Sequence, residues 1–457
     1  MITSSAFSGK HYAVLGLARS GMATAEALLA SGAYVTAWDR REGPRETLAG
    51  RAEIADLMEA DLGAFDALVL SPGVPLNTHP IVERARAAAV PIIGDIELFA
   101  QARPALPPHK VVGITGTNGK STTTALVHHI LNTAGVPTMM GGNIGLPIMA
   151  QNPLPAGGVY VLELSSYQID LTFSLDCDVA VLTNITPDHL DRYESFAAYR
   201  ASKLRLFEMQ SSTNLAVRPD DRLSPQDPFD IGGPFGSGGR TPRDATKLGT
   251  QADWPALQGP HNAENALAAI TVALALDVSE ELVSQALATF PGLPHRMERL
   301  GEHNGVLFVN DSKATNPAST APALAAWPPD PHVHGGTPRL HWICGGLPKG
   351  DDLDECAPNF GNVAAAYTIG EAGPLFAELL SPHMHVEPCE MLCEATRRAM
   401  KAARPGDVVL LSPACASFDQ FRDYETRGND FRRIVAALTS DAAADPCICV
   451  MPGRSAA

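Results

Sequence analysis

Short apolar runs alternate with longer segments of helical pattern over the first hundred residues of the chain. The run 12–16 (Tyr-Ala-Val-Leu-Gly) leads into an alanine-rich segment that we predict to be helical to about Leu29. Further strands are predicted at 34–38 and 67–70, and the second of them ends in 71–73 (Ser-Pro-Gly). Short apolar strands that alternate with helices are typical of a parallel, doubly wound sheet. This region is therefore predicted to have an α/β fold.

The same order of strand, glycine-containing turn and helix starts twice more along the chain. The segment 102–109 is predicted to be a linker, and the apolar strand 110–114 that follows it opens a second unit. A further boundary is predicted near 291–294 (Pro-Gly-Leu-Pro). The third unit beyond it has predicted strands at 306–310, 340–344 and 408–411.

A length of 457 residues predicts about three domains. We place them at 1–100, 101–297 and 298–445. Residues 218–255 are rich in proline, glycine and aspartate, which predicts a long surface excursion inside the second domain. The tail after Ala444 has no strong pattern, and we expect it to be disordered.

The most specific local pattern is the glycine-rich turn within 111–123 (Val-Val-Gly-Ile-Thr-Gly-Thr-Asn-Gly-Lys-Ser-Thr-Thr). Backbone N–H groups of such a turn point at phosphate oxygens, and the N-terminus of the following helix adds positive potential. Lys120 is predicted to bridge the β- and γ-phosphates of a nucleoside triphosphate, and the Ser121 hydroxyl to ligate Mg²⁺. Ile114 departs from the strict P-loop spacing, and an ordinary strand-to-helix turn with an exposed lysine is the alternative. The predicted ATP contacts are Gly116, Thr117, Asn118, Gly119, Lys120, Ser121 and Thr122.

A second glycine-containing turn, 16–21 (Gly-Leu-Ala-Arg-Ser-Gly), follows the first strand. Ala18 replaces the middle glycine of a dinucleotide fingerprint. The turn is still able to hold one diphosphate at a helix N-terminus. A purely structural turn is the alternative.

Composition and charge narrow the class of protein. The net charge of −16 argues against nucleic acid as a partner but not against anionic small molecules. The eight cysteines form no CxxC pair, which argues against a structural zinc site. No signal-peptide pattern and no apolar run of about 20 residues is found, so we expect a cytoplasmic protein without a membrane span.

Several further motifs follow the phosphate loop in a fixed order. They are 141–145 (Gly-Gly-Asn-Ile-Gly), 163–168 (Glu-Leu-Ser-Ser-Tyr-Gln), 184–193, 199–203, 261–265, 295–296 and 310–316. Together with the phosphate loop they resemble the Mur ligases of bacterial cell-wall synthesis, relatives of folylpolyglutamate synthase, over nearly the whole chain. The resemblance implies three domains: an N-terminal Rossmann-like domain that binds UDP, a central P-loop-type ATPase domain, and a C-terminal Rossmann-like domain that binds the amino acid.

Within that family, the stretches 93–99, 311–316 and 411–421 are most similar to the member that joins D-glutamate to UDP-N-acetylmuramoyl-L-alanine. The resemblance implies an ATP-dependent, amide-bond-forming ligase that works through an acyl phosphate and releases ADP and phosphate. Its role would be peptidoglycan biosynthesis, and through it cell shape and division. The alternatives are a sister or folylpolyglutamate synthase-like ligase that uses another amino acid, and a catalytically silent nucleotide-binding regulator. We expect a monomer.

The resemblance also implies roles for individual residues. The catalytic set is Lys120, Glu163, His189, Lys203 and Lys313. Two Mg²⁺ ions would be held by Ser121, Glu163, His189 and Lys203. Lys203 resembles the family lysine that is carbamylated by CO₂, which turns an ammonium into a carboxylate-like anion. On the residues alone, Glu163 could be a hydrogen-bonded strand-end carboxylate, His189 a cap or core histidine, and Lys203 a surface helix lysine.

Nucleotide contacts outside the phosphate loop follow from the same resemblance. Asn265 would contact adenine, although it could instead cap a helix. Arg296 would reach phosphate, Asp311 the ribose, and Lys313 the transferring phosphoryl group. These third-domain contacts imply domain closure, which would exclude water from the acyl phosphate.

Substrate contacts form the last predicted group. Asn143 would lie near the reacting end of the nucleotide-sugar with His189, although Asn143 could instead supply a left-handed turn conformation. The amino acid would be held by Thr315, Lys349, Ser417 and Tyr424, the last at a position where the family often has phenylalanine. The UDP half would be held by Leu17, Ala18, Arg19, Ser20, Asp39, Arg40, Ser71 and Gly73.

Overall fold

A computed structural model of the protein describes residues 1–186, 188, 192–219, 229–233, 236–237 and 248–440. The chain divides into two compact units. The first unit is Met1–Thr250 with Glu264–Ala288, and the second is Gln251–Ala263 with Thr289–Ala457. Within these described ranges, every helix is too short or too polar to cross a membrane.

The first sheet lies in the first unit and has five parallel strands in the order β3-β2-β1-β4-β5. They are β1 (His11–Leu15), β2 (Tyr34–Trp38), β3 (Glu53–Ile54), β4 (Ala67–Leu70) and β5 (Ile92–Ile93). The helices are α1 (Arg19–Ala30), α2 (Glu42–Leu48), α3 (Pro80–Ala87) and α4 (Asp95–Ala102). The strands predicted at 34–38 and 67–70 are confirmed. The strand order reverses between β1 and β4, where ligands bind in open α/β sheets.

The second sheet also lies in the first unit, in the order β12-β11-β10-β9-β6-β8-β7. Its strands are β6 (His109–Thr115), β7 (Thr138–Gly142), β8 (Gly158–Glu163), β9 (Val179–Leu182), β10 (Leu215–Pro219), β11 (Phe229–Gly233) and β12 (Gly236–Ser237). The helices that follow its strands are α5 (Lys120–Thr133), α6 (Ser166–Asp170), α7 (Phe196–Glu208), α8 (Pro260–Ala275) and α9 (Glu280–Thr289).

The predicted surface excursion at 218–255 contributes edge strands to this sheet. β11 pairs antiparallel with β10, and β12 pairs antiparallel with β11. The alternation of strands and helices had predicted a parallel sheet. This sheet is mixed instead, because its edge strands β11 and β12 pair antiparallel. The amino-acid composition of this stretch is typical of turns, but whether the stretch pairs at a sheet edge depends on the neighbouring strand. Most of 220–247 and the tail after Ala444 lie outside the described residues.

The third sheet lies in the second unit, in the order β13-β14-β18-β15-β16-β17, with only the β13–β14 pair antiparallel among these strands. Its strands are β13 (Glu298–His303), β14 (Val306–Asn310), β15 (Leu340–Gly345), β16 (Val363–Ile369), β17 (His385–Glu390) and β18 (Val408–Leu411). The helices are α10 (Pro317–Ala325), α11 (Gly373–Leu380), α12 (Leu392–Ala402) and α13 (Tyr424–Thr439). The loops after β14, β15 and β18 leave adjacent strands at the same edge.

The first two sheets are joined by polar contacts as well as by a shared apolar core. The buried carboxylate of Glu97 in α4 accepts hydrogen bonds from the backbone N–H groups of Phe173 and Ser174, at 2.7 and 2.9 Å. The predicted linker 102–109 is anchored too, because Arg103 forms an ion pair with Asp178. These contacts join α4 and the segment after it to the loop between α6 and β9 inside the first unit.

Candidate active site

The turn between β6 and α5 has a backbone that requires glycine at two positions. Gly116 and Gly119 have φ angles of +147° and +82°. A Cβ on Gly116 would lie 1.9 Å from Thr183 Oγ1, and a Cβ on Gly119 would lie 2.1 Å from Asn265 Oδ1. Both the angles and the close approach exclude a side chain. The turn also brings Asn265, predicted from a distant motif, against the phosphate loop, where it accepts a hydrogen bond from Thr123 at 3.3 Å.

Hydrogen bonds to the loop that follows β9 hold part of this turn in place. The backbone N–H of Thr117 donates to the Asn184 carbonyl oxygen, and that of Asn118 to the Asn184 side chain, both at 2.9 Å. These two amides donate to Asn184 in this structure, and the ATP contacts predicted for Thr117 and Asn118 stay predictions. The first amides of a helix generally find no acceptor inside it, and the helix N-terminus carries positive potential, so the start of α5 is suited to an anion.

Lys120 and Lys203 lie together at the phosphate loop. Lys120 Nζ donates to the carbonyl oxygens of Gly116 and Thr117 at 2.9 and 2.8 Å. Lys203, on α7, is only 2% exposed, and its Nζ lies 4.7 Å from the centre of the Tyr199 ring. Burial, and then the charge of Lys120, lower the pKa of Lys203 to about 7. The alternative that Lys203 is a surface lysine is therefore wrong.

Glu163 ends β8, the strand that pairs with β6, so it lies at the same sheet edge as the phosphate loop. Its carboxylate is buried, and Oε1 accepts a hydrogen bond from Asn143 Nδ2 at 2.9 Å. Among the residues that the structure describes, Oε2 has no hydrogen-bond partner. The left-handed turn positions nearby are Gly142 and Gly145, so the alternative role of Asn143 as a left-handed residue is wrong.

A buried carboxylate oxygen without a hydrogen-bond partner is suited to bind a cation, and Mg²⁺ prefers oxygen atoms as ligands. In the described part of the chain, no group of three histidine, cysteine, aspartate or glutamate residues could hold a metal ion. Mg²⁺ in nucleotide sites takes most of its ligands from phosphate and water and needs one or two from the protein. Glu163 and the Ser121 hydroxyl at the start of α5 fit that requirement. His189 lies outside the described residues, and its roles stay predictions.

The carboxyl edge of the first sheet carries a cavity of about 970 Å³ whose lining includes Gly16, Asp39, Arg40 and Gly73. Burial acts to raise the pKa of Asp39, but hydrogen bonds from the side chain and backbone of Arg41 and from the backbone N–H of Leu17 outweigh it and lower the pKa to about 2. An ionised acid at the end of the second strand is suited to ribose hydroxyls.

Other predicted residues of the UDP site are placed differently. The Ser71 hydroxyl donates to the Gly16 carbonyl oxygen at 2.7 Å, which closes the turn onto β4. Leu17 is buried, whereas Ala18 is exposed at the N-terminus of α1 beside Ser20. The sequence did not reveal that the cavity wall also contains Arg45, whose guanidinium lies 4.4 Å from the centre of the Trp38 ring.

Two arginines connect the first sheet's loops to the central domain. Arg19, predicted to contact diphosphate, donates through Nη2 to the Gly145 carbonyl oxygen at 2.7 Å. Arg192, which sequence reasoning missed, donates to the Gly73 carbonyl oxygen at 3.1 Å. Its guanidinium also lies 4.6 Å from the centre of the Tyr167 ring. The loop that carries Gly73 is thereby held against the loop that precedes α7.

The second unit brings Lys349 and Thr315 of the predicted amino-acid site together, and it places Tyr424 beside Lys313, which is predicted to contact the phosphoryl group. Lys349 Nζ, after β15, donates to Thr315 Oγ1, after β14, at 3.3 Å. Lys313 Nζ lies 4.1 Å from the centre of the Tyr424 ring. Ser417, after β18, is buried at the same sheet edge. Two lysines and two hydroxyls at one edge are suited to carboxylate groups.

Asp311 and Arg296 also lie in the second unit. Asp311 is buried, and it accepts hydrogen bonds from the Ser412 hydroxyl at 2.8 Å and from the Met297 backbone N–H at 3.1 Å. Burial raises the pKa of Asp311 to about 7. Arg296 Nε is buried without a hydrogen-bond partner among the described residues. Burial, and then the charge of Arg296, lower the pKa of His261 to about 4.

Models of known families match three stretches of the chain. Residues 10–94 match the Mur ligase MurD-like N-terminal domain, residues 114–226 the Mur ligase middle domain, and residues 295–415 the Mur ligase glutamate ligase domain. The three stretches correspond to the three sheets.

Curated relatives match over almost the full length. The UDP-N-acetylmuramoylalanine--D-glutamate ligase of Novosphingobium aromaticivorans is 62% identical over 448 residues, which cover 98% of this chain and 99% of the relative. Proteins of the same name from Sphingopyxis alaskensis and Zymomonas mobilis are 58% and 54% identical, each over 96% of this chain and 100% of the relative.

Solved structures share the fold at lower identity. UDP-N-acetylmuramate-alanine ligase MurC from Thermotoga maritima has a TM-score of 0.51 at 17% identity, covering 94% of this chain and 99% of that one. The MurF ligase from Thermotoga maritima in complex with ADP has a TM-score of 0.54 at 14% identity, covering 94% and 95%. These likenesses concern the fold alone, and with the matched domains they confirm the predicted three-domain α/β architecture.

The matched domains and the relatives also confirm the predicted enzyme class, an ATP-dependent ligase that forms amide bonds. The glycine-rich turn at Gly116 and Gly119 and the buried Glu163 lie within the stretch that matches the Mur ligase middle domain. From three matched domains, relatives up to 62% identical and this shared architecture, it follows that the chain belongs to the Mur ligase family.

Proposed function

We propose that this chain joins D-glutamate to UDP-N-acetylmuramoyl-L-alanine at the expense of ATP, releasing ADP and phosphate, as a cytoplasmic monomer in peptidoglycan precursor synthesis. The observation that carries the proposal is the buried Glu163 on the strand next to the phosphate loop, with one carboxylate oxygen that has no hydrogen-bond partner among the described residues. The identity of the amino acid rests on relatives 54–62% identical that are named as D-glutamate ligases.

The first chemical step is attack of the substrate carboxylate on the γ-phosphoryl group of ATP, which forms an acyl phosphate and ADP. The reaction brings two anions together, so positive charge at the phosphates lowers its barrier. The first amides of α5 and the ammonium of Lys120 supply part of that charge. Lys120 exchanges its contacts with the Gly116 and Thr117 carbonyl oxygens for phosphate oxygens when the nucleotide binds.

Magnesium belongs to the chemistry of this family, and here Ser121 and Glu163 would hold it beside the bound phosphates. When bound, it would neutralise charge on the phosphate oxygens. Asn143 orients the Glu163 carboxylate through the hydrogen bond to Oε1, and Oε2, which has no hydrogen-bond partner among the described residues, would bind the ion. His189 is proposed as a ligand to a second ion.

We propose that Lys203 is carbamylated. Its neutral amine attacks CO₂, a C–N bond forms, and one proton leaves, which gives a carbamate anion. A pKa of about 7 leaves a substantial fraction of the amine neutral near neutral pH, which the reaction needs. An ammonium at this buried position would repel a second Mg²⁺, whereas the carbamate would bind it.

In the second step the amino group of D-glutamate attacks the acyl carbon, phosphate leaves, and the nitrogen loses a proton. Thr315, Lys349 and Ser417, with Tyr424 beside them, are proposed to hold the carboxylates of the amino acid. Following the family resemblance, Asn265, Arg296 and Asp311 are proposed to bind the nucleotide, and Lys313 the transferred phosphoryl group. The UDP half is proposed to occupy the cavity that contains Asp39, Arg40 and Gly73.

The deciding experiment measures phosphate release with UDP-N-acetylmuramoyl-L-alanine and each candidate amino acid. Release that depends on D-glutamate alone is expected. Release with UDP-N-acetylmuramate and L-alanine would assign the chain to a sister reaction. A protein that binds ATP but releases no phosphate with any pair would be a silent regulator.

A further inference from the structure

Arg427, in the first turns of α13, is a completely buried cation. Its guanidinium donates four hydrogen bonds, all to uncharged oxygen atoms. Nε contacts the Ser312 hydroxyl at 3.0 Å, Nη2 contacts the carbonyl oxygens of Ser312 and Cys415 at 2.9 and 3.0 Å, and Nη1 contacts the Ala416 carbonyl oxygen at 3.2 Å. Burial lowers the pKa of Arg427 to about 10, so it stays charged at neutral pH.

These hydrogen bonds join three of the four segments that carry the proposed amino-acid residues. Ser312 precedes Thr315 in the loop after β14, and Ala416 is followed directly by Ser417. The Ser312 hydroxyl in turn donates to the Tyr424 carbonyl oxygen at 2.9 Å. One guanidinium therefore sets the spacing of the loop after β14, the loop after β18 and the start of α13.

The fourth segment, which carries Lys349, is tied to the same group. Leu347 and Ala416 exchange two backbone hydrogen bonds, at 2.9 and 3.0 Å. Gly346 approaches so closely that a Cβ on it would lie 3.0 Å from Arg427 Nη1. The guanidinium therefore packs directly against the backbone at Gly346, in the segment that leads to Lys349.

The charge of Arg427 is also poorly compensated. A buried ion whose hydrogen bonds go to neutral acceptors costs free energy that a nearby anion partly recovers. Asp419 is the carboxylate whose charge acts on Arg427, but its Oδ2 already accepts the backbone N–H of Glu371 at 3.0 Å. Solvent screens the charge of the buried Arg427 less than that of the exposed Lys349, so the field of Arg427 extends further into its surroundings.

We propose that Arg427 is a positioning residue for the amino-acid site, and that its buried charge favours an amino acid that carries a second carboxylate. The inference deepens the proposed function and rests on it. As a positioning residue, Arg427 itself does not contact the amino acid. It fixes the relative positions of Thr315, Ser417 and Tyr424, and its charge adds positive electrostatic potential near them.

The experiment compares the wild-type chain with Arg427→Met, which keeps much of the volume, and Arg427→Lys, which keeps the charge without the planar fork. Steady-state phosphate release gives KM for D-glutamate, ATP and the nucleotide-sugar. KM for D-glutamate is expected to rise at least about tenfold in Arg427→Met and by less in Arg427→Lys, with KM for ATP unchanged within about threefold.

The matched control is Arg432→Met on the same helix. Arg432 pairs with Glu298 at 2.9 Å through Nε, away from the four segments. Thermal unfolding of each variant, followed by circular dichroism, separates loss of stability from loss of binding. Arg432→Met is expected to lower the unfolding midpoint without changing KM for D-glutamate.

Each outcome decides a separate part of the proposal. An unchanged KM for D-glutamate, or equal rises for all three substrates, overturns the positioning role, and equal effects of Met and Lys overturn the charge role. If Arg427→Met does not fold, Ser312→Ala removes one acceptor of Arg427 and is expected to raise the same KM about threefold or more. A wild-type chain that never responds to D-glutamate refutes the proposed function instead.

Discussion

The ammonium groups of Lys120 and Lys203 donate hydrogen bonds to the same oxygen atom, the carbonyl of Gly116, at 2.9 and 2.8 Å. The two lysines are 83 positions apart in the chain. Sharing one acceptor places two like charges together in a buried site, which disfavours protonation of the more buried amine. The arrangement therefore couples the phosphate loop to the reactivity of Lys203.

Replacement of Lys203 by alanine is expected to reduce kcat at least about a thousandfold, because the site loses an anionic metal ligand. A small carboxylate such as acetate or formate, added at high concentration, is expected to restore part of the rate by occupying the vacated position. Phosphate release measures both effects. Lys401→Ala, an exposed lysine on α12, is the control and should be unchanged. Full activity of Lys203→Ala would exclude the carbamate.

Activity at limiting CO₂ is expected to rise with pH between about 6 and 8. Burial and Lys120 lower the pKa of Lys203 to about 7, so the neutral amine increases from about a tenth to about nine tenths of the population over that interval. Added bicarbonate should raise the rate most at the low end. Carbon-13 NMR with labelled bicarbonate measures the carbamate directly. A rate that is independent of bicarbonate at pH 6, with no carbamate signal, would contradict this assignment.

Glu163→Gln is expected to raise the Mg²⁺ concentration for half-maximal rate and to lower kcat by about a hundredfold. The amide keeps the size of the side chain and an acceptor for Asn143, but removes the charge. Titration of the rate with Mg²⁺ at saturating ATP checks this. Glu208→Gln at the exposed end of α7 is the matched control. An unaltered Mg²⁺ response in Glu163→Gln would show that the carboxylate is structural.

Gly119→Ala is expected to raise KM for ATP at least about tenfold, because the new methyl group meets Asn265 Oδ1 at 2.1 Å. Gly135→Ala is a close control in the same domain. Gly135 has a similar φ of +73°, against +82° for Gly119, but open space around its Cβ position. Both variants carry the strain of a left-handed alanine, about 1–2 kcal/mol. Equal KM values for ATP in the two variants would show that strain, and not the contact with Asn265, limits binding.

Much of the fold was predictable because buried parallel strands appear as uninterrupted apolar runs. β2, β4, β14 and β18 begin and end at the predicted residues. β13 was missed because it is a partly exposed edge strand of mostly polar and charged residues, so it does not appear as an apolar run in the sequence. The edge strands after 218 were missed because their composition marks turns and their pairing depends on β10.

Chemistry that depends on neighbours along the chain could be predicted from the residues alone. The glycine spacing and the Lys120-Ser121 pair predict a phosphate loop, since a turn and the helix after it are local structures. The burial of Lys203 beside Lys120, the hydrogen bond from Asn143 to Glu163 and the contacts of Arg427 with the loops of the proposed amino-acid site became visible only in the folded chain. Burial, pKa and hydrogen bonding between distant segments depend on packing, and packing is a property of the whole fold.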